Sequence, residues 1–232
     1  MAEADTSSPT SPPLTLYFGY GSNLWLHQMA TRCPDSQYLG IALLPHYTWL
    51  INDRGYANVV SAPCPDTATS GSSRYKTSVY GLVYSLTPSD EARLDINEGV
   101  PIAYTKEYLP CSFWAATSRE PGTKIDTSQP PSETNKRLLV YIDRVRTAPS
   151  TPRDEYVYRM NRGIHDALGC GVPGEYVDEV MRKYIAADDY EEEEEEEEDG
   201  EDGKKKREER EKMAEFARGQ AARFRDESGV FE

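Results

Sequence analysis

Leu14-Thr15-Leu16-Tyr17-Phe18-Gly19-Tyr20-Gly21-Ser22-Asn23-Leu24 begins as a strand and ends as a turn. Leu, Thr, Tyr and Phe suit a pleated, buried surface, so residues 14–20 read as a first strand. Gly19 and Gly21, flanking Tyr20, break it. Leu24 to Thr31 then reads as a helix, with Leu24, Leu26, Met29 and Ala30 as its apolar positions and Asn23 or Ser22 as its cap. Arg32-Cys33-Pro34 ends it, because the residue before a proline is pushed out of the helical region. Consecutive backbone amides around a glycine turn at a helix start converge on one spot and favour a carboxylate or a developing oxyanion. The sequence leaves open whether this turn binds an anion or only turns the chain. It does not form a dinucleotide fingerprint: Leu24 stands where the third glycine belongs, and no acidic residue closes a strand–helix–strand unit about 20 residues on.

A second element offers the complementary chemistry. Thr87-Pro88-Ser89-Asp90-Glu91 is a helix start, with a Thr cap, Pro at the first helical position and acids in the first turn. Leu94 points this short helix inward, and Gly99 stops it. In Leu94-Asp95-Ile96-Asn97-Glu98-Gly99-Val100, Glu98 falls at the helix end, where the dipole disfavours negative charge. A partly buried carboxylate there has a raised pKa, which suits a group that takes and returns a proton near neutrality. A surface glutamate on a frayed helix end fits the same residues.

Elsewhere the chain alternates short strands with helices. Strand-like runs flank Pro45 within residues 38–52 and continue at Tyr56–Ser61, Val79–Ser85, Tyr104–Ala115 and Leu138–Asp143. Pro63–Thr77 and the Pro-rich Ala116–Lys136 read as loops, the latter as a mobile insertion. Arg153–Gly169 is an amphipathic helix, with Tyr156, Tyr158, Met160, Ile164 and Leu168 as inner positions. Val172–Ile185 is another.

Of the 232 residues 38% are hydrophobic, low for a wholly globular chain, and the formal charge is −14. The acidity is local: 13 acidic and no basic residues lie at 188–202, and the first 187 residues net only −3. The charge therefore says little about what the folded part binds, and neither a nucleic-acid nor a membrane partner is expected. The sequence divides into a disordered leader (1–13), a folded domain (14–187), an acidic linker (188–203) and a charged possible helix (204–232). Met213, Phe216, Ala217 and Phe224 give that helix a weak apolar stripe, consistent with a solvated appendage or with docking on an unknown protein partner. The four cysteines, Cys33, Cys64, Cys111 and Cys170, form no CxxC pair and read as reduced thiols of a cytoplasmic protein. The leader lacks the apolar core of a secretory signal, and no run of 18 apolar residues marks a membrane span. The three histidines, His27, His46 and His165, have no paired spacing, and no metal motif occurs. A serine hydrolase is disfavoured, since no G-x-S-x-G surrounds Ser22.

Tyr17-Phe18-Gly19-Tyr20-Gly21-Ser22-Asn23-Leu24 resembles the Y-F-A-Y-G-S-N-L signature of γ-glutamylcyclotransferases, and Leu94 to Val100 resembles that family's L-D-x-x-E-G-V motif. The likeness runs from about residue 15 to 186. Arg54 to Val60 and Val100 to Tyr104 resemble fungal members in particular, some of which sit with gene clusters that make sulfur-bridged dipeptide metabolites from glutathione adducts.

The resemblance implies an α+β fold with a small, mixed, barrel-like sheet and surrounding helices. It implies Glu98 as the acid–base group, and Tyr17, Phe18, Gly19, Tyr20, Gly21, Ser22 and Asn23 as the substrate-binding turn. It places Tyr104 and Tyr141 as pocket tyrosines, and it implies neither cofactor nor metal. The partner it implies is a small γ-glutamyl substrate, cyclised to 5-oxoproline with release of an amine or amino acid. A non-catalytic binding module on the same fold is the alternative. Gly19, where many relatives have alanine, and the polar insertion are departures. The tail lies outside the resemblance and is expected to be dispensable for turnover.

Overall fold

The computed structural model describes residues 13–62, 75–118, 122–188 and 201–222; side chains of 201–207 are not among those described. Residues 1–12 of the leader expected at 1–13, residues 63–74 of the loop expected at 63–77, Cys64 and the glutamate run lie outside the described residues.

The chain opens with β1 (Thr15–Gly19), a 3-10 turn (Ser22–Leu24) and α1 (Leu26–Arg32). Next come β2 (Gln37–Pro45), β3 (Tyr47–Ile51), β4 (Ala57–Ser61), β5 (Ser78–Leu86) and α2 (Pro88–Asn97). Then follow β6 (Thr105–Ala115), β7 (Glu133–Ile142), α3 (Asp154–Cys170), α4 (Gly174–Val180) and α5 (Glu201–Ala222). Five strands close a barrel in the order β1-β5-β2-β6-β7, while β3 and β4 pair as a separate two-stranded sheet. Closure comes from the parallel meeting of β1 and β7, with Tyr17 opposite Leu139. All other barrel pairings are antiparallel, so the sheet is mixed and the fold α+β, as expected.

β5 is covered on both faces: it is buried at eight of its nine positions and reads as a continuous apolar run rather than an alternating one. Gly81 on β5 lets β1 come close: a Cβ there would lie 2.5 Å from the Gly19 carbonyl and 2.7 Å from the Phe18 ring. α2 begins as its sequence demands. Thr87 Oγ1 accepts from the Asp90 amide at 3.1 Å, the Asp90 carboxylate accepts in return from the Thr87 amide, and Pro88 takes the first helical position. Gly99, at φ +62°, turns the chain out of the helix, so Glu98 sits at its C-terminal boundary.

Three expectations change. α1 starts two residues late: its cap is Trp25, with no side-chain cap bond, because Ser22 and Asn23 spend their side chains on a buried polar network. The Pro-rich insertion is anchored over its described part and feeds a β7 that begins at Glu133. The Ile125 amide donates to the Cys170 carbonyl at 2.7 Å and Trp114 Nε1 to the Gln129 carbonyl at 2.7 Å. The charged C-terminal segment is not wholly solvated: α5 packs Ala217 and Ala221 against Trp25 and Tyr158 of its own chain.

Candidate functional site

The 3-10 turn after β1 lies against the boundary of α2, so the two motifs, 75 residues apart in sequence, meet. Asn23 Nδ2 donates to Glu98 Oε1 at 3.0 Å and to the Tyr17 hydroxyl at 2.8 Å. The amide's orientation follows from its other partners. Arg32 Nη1 donates to Asn23 Oδ1 at 3.1 Å, and a guanidinium has nothing but donors, so the oxygen must face Arg32 and the nitrogen Glu98.

Gln28 extends the same logic. Its Oε1 accepts from Arg159 Nη1 at 3.3 Å, while its Nε2 donates to Asn23 Oδ1 at 2.7 Å and to Ser22 Oγ at 3.0 Å. Two guanidiniums thus terminate one chain of amides that points its last N–H at the carboxylate. Arg159 is itself held in a buried, bidentate pair with Glu155, at 2.8 and 3.1 Å, and donates to Ser22 Oγ at 2.8 Å.

Glu98 is half-buried, with its side chain on the wall of a cavity of about 50 Å³. Desolvation raises its pKa above 4.5; Arg32, the Asn23 hydrogen bond, Arg54 and Arg159 pull it down without cancelling that effect. Tyr17, Tyr20 and Tyr104 have phenol pKa values raised well above 10, chiefly by burial, so they meet a ligand as neutral hydroxyls. Arg54, 2% exposed, stacks over the Tyr56 and Tyr104 rings at 5.4 and 5.3 Å and adds a cation to the cavity wall.

Of the residues predicted for the site, Glu98, Tyr17, Tyr20, Gly21, Ser22, Asn23, Tyr104 and Tyr141 line the cavity. Tyr104 Oη donates to the Ala57 carbonyl at 2.9 Å and Tyr141 Oη to Asp95 at 2.6 Å, bonds that fix both rings. Phe18 and Gly19 do not line it. Side chains alternate along a strand, so with Tyr17 facing the site Phe18 turns into the core, where it is fully buried. Gly19 packs behind Asn23: a Cβ there would lie 3.3 Å from the Asn23 carbonyl. The turn amides are also not all open. The Ser22 amide donates to the Tyr156 hydroxyl at 3.2 Å, as does the amide of Ala57 at the start of β4, also at 3.2 Å.

Arg32, Arg54, Tyr56, Tyr156 and Arg159 also line the cavity and were missed as site residues. Arg54 stood in the quoted segment Arg54 to Val60. Arg159 carried a weaker signal: its Glu155 partner four residues earlier on an otherwise apolar face.

No protein-family model and no curated protein matches this chain. Solved structures do. One described as a gamma-glutamyl cyclotransferase aligns over 77% of this chain and 91% of its own at 20% identity, with a TM-score of 0.53. An uncharacterized protein from Homo sapiens, loc79017, aligns over 84% and 98% at 20% identity and 0.53. YkqA from Bacillus subtilis aligns over 76% of this chain and 56% of its own at 16% identity and 0.52. Identities this low speak to the fold alone. The chain shares the fold of that solved gamma-glutamyl cyclotransferase, whose family its two motifs resemble.

Proposed function

We propose that the chain is a γ-glutamyl cyclotransferase in which Glu98 is the acid–base group. The observation that carries this reading is the Asn23–Glu98 contact: a carboxylate of raised proton affinity on a cavity wall, aimed by an amide whose orientation two buried arginines dictate.

In the proposed reaction the substrate supplies its own nucleophile. Its α-amine attacks its γ-carbonyl and closes a five-membered lactam, an intramolecular step that requires no nucleophile from the protein. Glu98 takes a proton from the α-ammonium and returns it to the departing amine. The bond formed is lactam N–C; the bond broken is the γ-amide C–N. The products are 5-oxoproline and the free amine or amino acid. Arg54 and the turn residues suit the α-carboxylate or the oxyanion, since donors set in a desolvated cavity stabilise charge strongly.

The cavity is small, about 50 Å³. It therefore suits the compact reacting end, with the departing amine directed toward solvent. That end is common to γ-glutamyl amino acids, glutathione and γ-glutamylated secondary-metabolite intermediates, and the last of these is the substrate class favoured by the fungal-type segments. The test is 5-oxoproline release from all three in competition. Release from the metabolite-type conjugate ahead of the others supports the reading; no release from any of them overturns it.

A further inference from the structure

Arg32 joins the reaction centre to the far end of the chain. It is the last residue of α1 and is 4% exposed. Nη1 holds Asn23 Oδ1, while Nε donates to the Ala221 carbonyl at 2.8 Å and Nη2 to the Gln220 carbonyl at 2.9 Å. Both carbonyls belong to the last described turn of α5 and accept from the one guanidinium. One guanidinium therefore ties α5 with two of its nitrogens and orients Asn23 with the third.

A second contact holds α5 in place. Ala217 and Ala221 are fully buried against Trp25 and Tyr158, with Met213 and Ala214 at the edge of the patch. Trp25 follows the 3-10 turn directly and precedes α1. α5 thus touches the segment that carries Asn23 at both ends, through Trp25 at its start and Arg32 at its finish. The barrel core contributes nothing to the patch, and the largest side chain of this stretch of α5, Phe216, faces solvent at 42% exposure. The contact is small and separable from the core.

We propose that α5 is a positioning element for the reaction centre: docked, it fixes the Arg32 fork so that Asn23 is held with its N–H on Glu98, and α1, Arg32 and α5 act as one unit in setting that geometry. A planar guanidinium with two of its nitrogens tied to α5 has little freedom left for the third, which makes it a stiffer support than a lysine. The inference rests on the reading of Glu98 as the proton shuttle. It also makes the tail helix part of the working enzyme, against the expectation that the tail is dispensable.

The experiment uses the full-length chain. Ala217→Arg forces a long cation into the Trp25–Tyr158 contact, and Met213→Asp weakens the same patch more gently. Phe216→Arg, on the exposed face of the same helix, is the control. Ala217→Arg is expected to lower kcat by about 3- to 10-fold with KM held within about twofold; Phe216→Arg changes neither. Arg32→Met lowers kcat at least as far, and adding Ala217→Arg to it lowers kcat no further, because one path carries both effects. Unchanged kcat in both patch variants, or effects that add in the double variant, would overturn the proposal.

A readout independent of turnover is the Asn23 side-chain amide signal in 15N NMR, assigned by its loss in Asn23→Asp. It is expected to move in Met213→Asp and Ala217→Arg in the direction set by Arg32→Met, and to stay in Phe216→Arg. A stationary signal in the patch variants also sinks the proposal. If the signal moves as described while the unsubstituted chain releases no 5-oxoproline, the coupling stands and the reaction assigned to Glu98 is what fails.

Discussion

Asn23 Nδ2 lies 3.0 Å from Glu98 Oε1 although 75 residues separate them. The hydrogen bond favours the ionised carboxylate, while burial favours the protonated one, and burial is the larger effect. Asn23→Ala removes the first and keeps the second, so the Glu98 pKa rises further. The base form of Glu98 is then lost at higher pH, and the acidic limb of the kcat/KM profile is expected to move upward. A limb that stays in place, measured by 5-oxoproline release across pH 4 to 8, would detach Asn23 from Glu98.

Glu98→Gln keeps the shape and loses the base. It is expected to cost about 10²- to 10⁴-fold in kcat. Its effect on stability has the opposite sign. The folded chain binds the Glu98 proton more tightly than the unfolded chain does, so the contribution of Glu98 to stability is greatest below its unfolded value and falls as pH rises through its folded value. At pH 7 to 8 the neutral glutamine avoids that loss. Melting of the two chains should show Glu98→Gln as the more stable at pH 7.5, with the gap closing toward pH 4.

Arg54 stacks on two tyrosine rings with its charge on the cavity wall. If it holds the substrate's carboxylate, Arg54→Met removes a charge-assisted hydrogen bond and raises KM by about 10-fold or more. A substrate whose α-carboxylate is converted to an amide should lose the same factor on the unsubstituted enzyme and little on the variant. Equal losses on both enzymes would assign the carboxylate to other groups.

The parts of this molecule legible in its sequence are those governed by local rules. The capping of α2 by Thr87, Pro88 and Asp90 is a short-range pattern, and so are the break at Gly19 and the turn at Gly99. Glu98 and the turn were visible as motifs. Their meeting was not, because it depends on the strand register, in which Tyr17 pairs with Tyr84 on one side and Leu139 on the other. Arg32 was invisible for a related reason. A buried arginine differs from a surface one only in its partners, and those of Arg32 lie 188 and 189 residues away. The expected α5 stripe held Met213 and Ala217, which lie on the patch, and missed Ala221, because alanine carries little hydrophobic signal.

The buried Glu155–Arg159 pair supports the turn through Ser22 and Gln28. Glu155→Ala leaves the guanidinium in the interior without its carboxylate and is expected to destabilise the chain by about 3–5 kcal/mol. Glu155→Gln retains an acceptor and should cost less. Chemical denaturation of the two variants checks the order, and equal stabilities would mean that the pair's charge has no part in holding the turn.

Gly21 faces the Tyr156 hydroxyl, and a Cβ added there would lie 2.8 Å from that oxygen. The hydroxyl is not free to move, since it accepts from the Ser22 and Ala57 amides at 3.2 Å each. Gly21→Ala should therefore push Tyr156 off both amides and leave two buried N–H groups without their acceptor, at a cost of about 1–3 kcal/mol. Tyr156→Phe removes the same acceptor and the obstruction together. The two substitutions act on one contact, so the double variant should be less destabilised than the sum of the singles, by about 0.5 kcal/mol or more. Strict additivity in denaturation midpoints would show that Gly21 is required by its backbone conformation rather than by Tyr156.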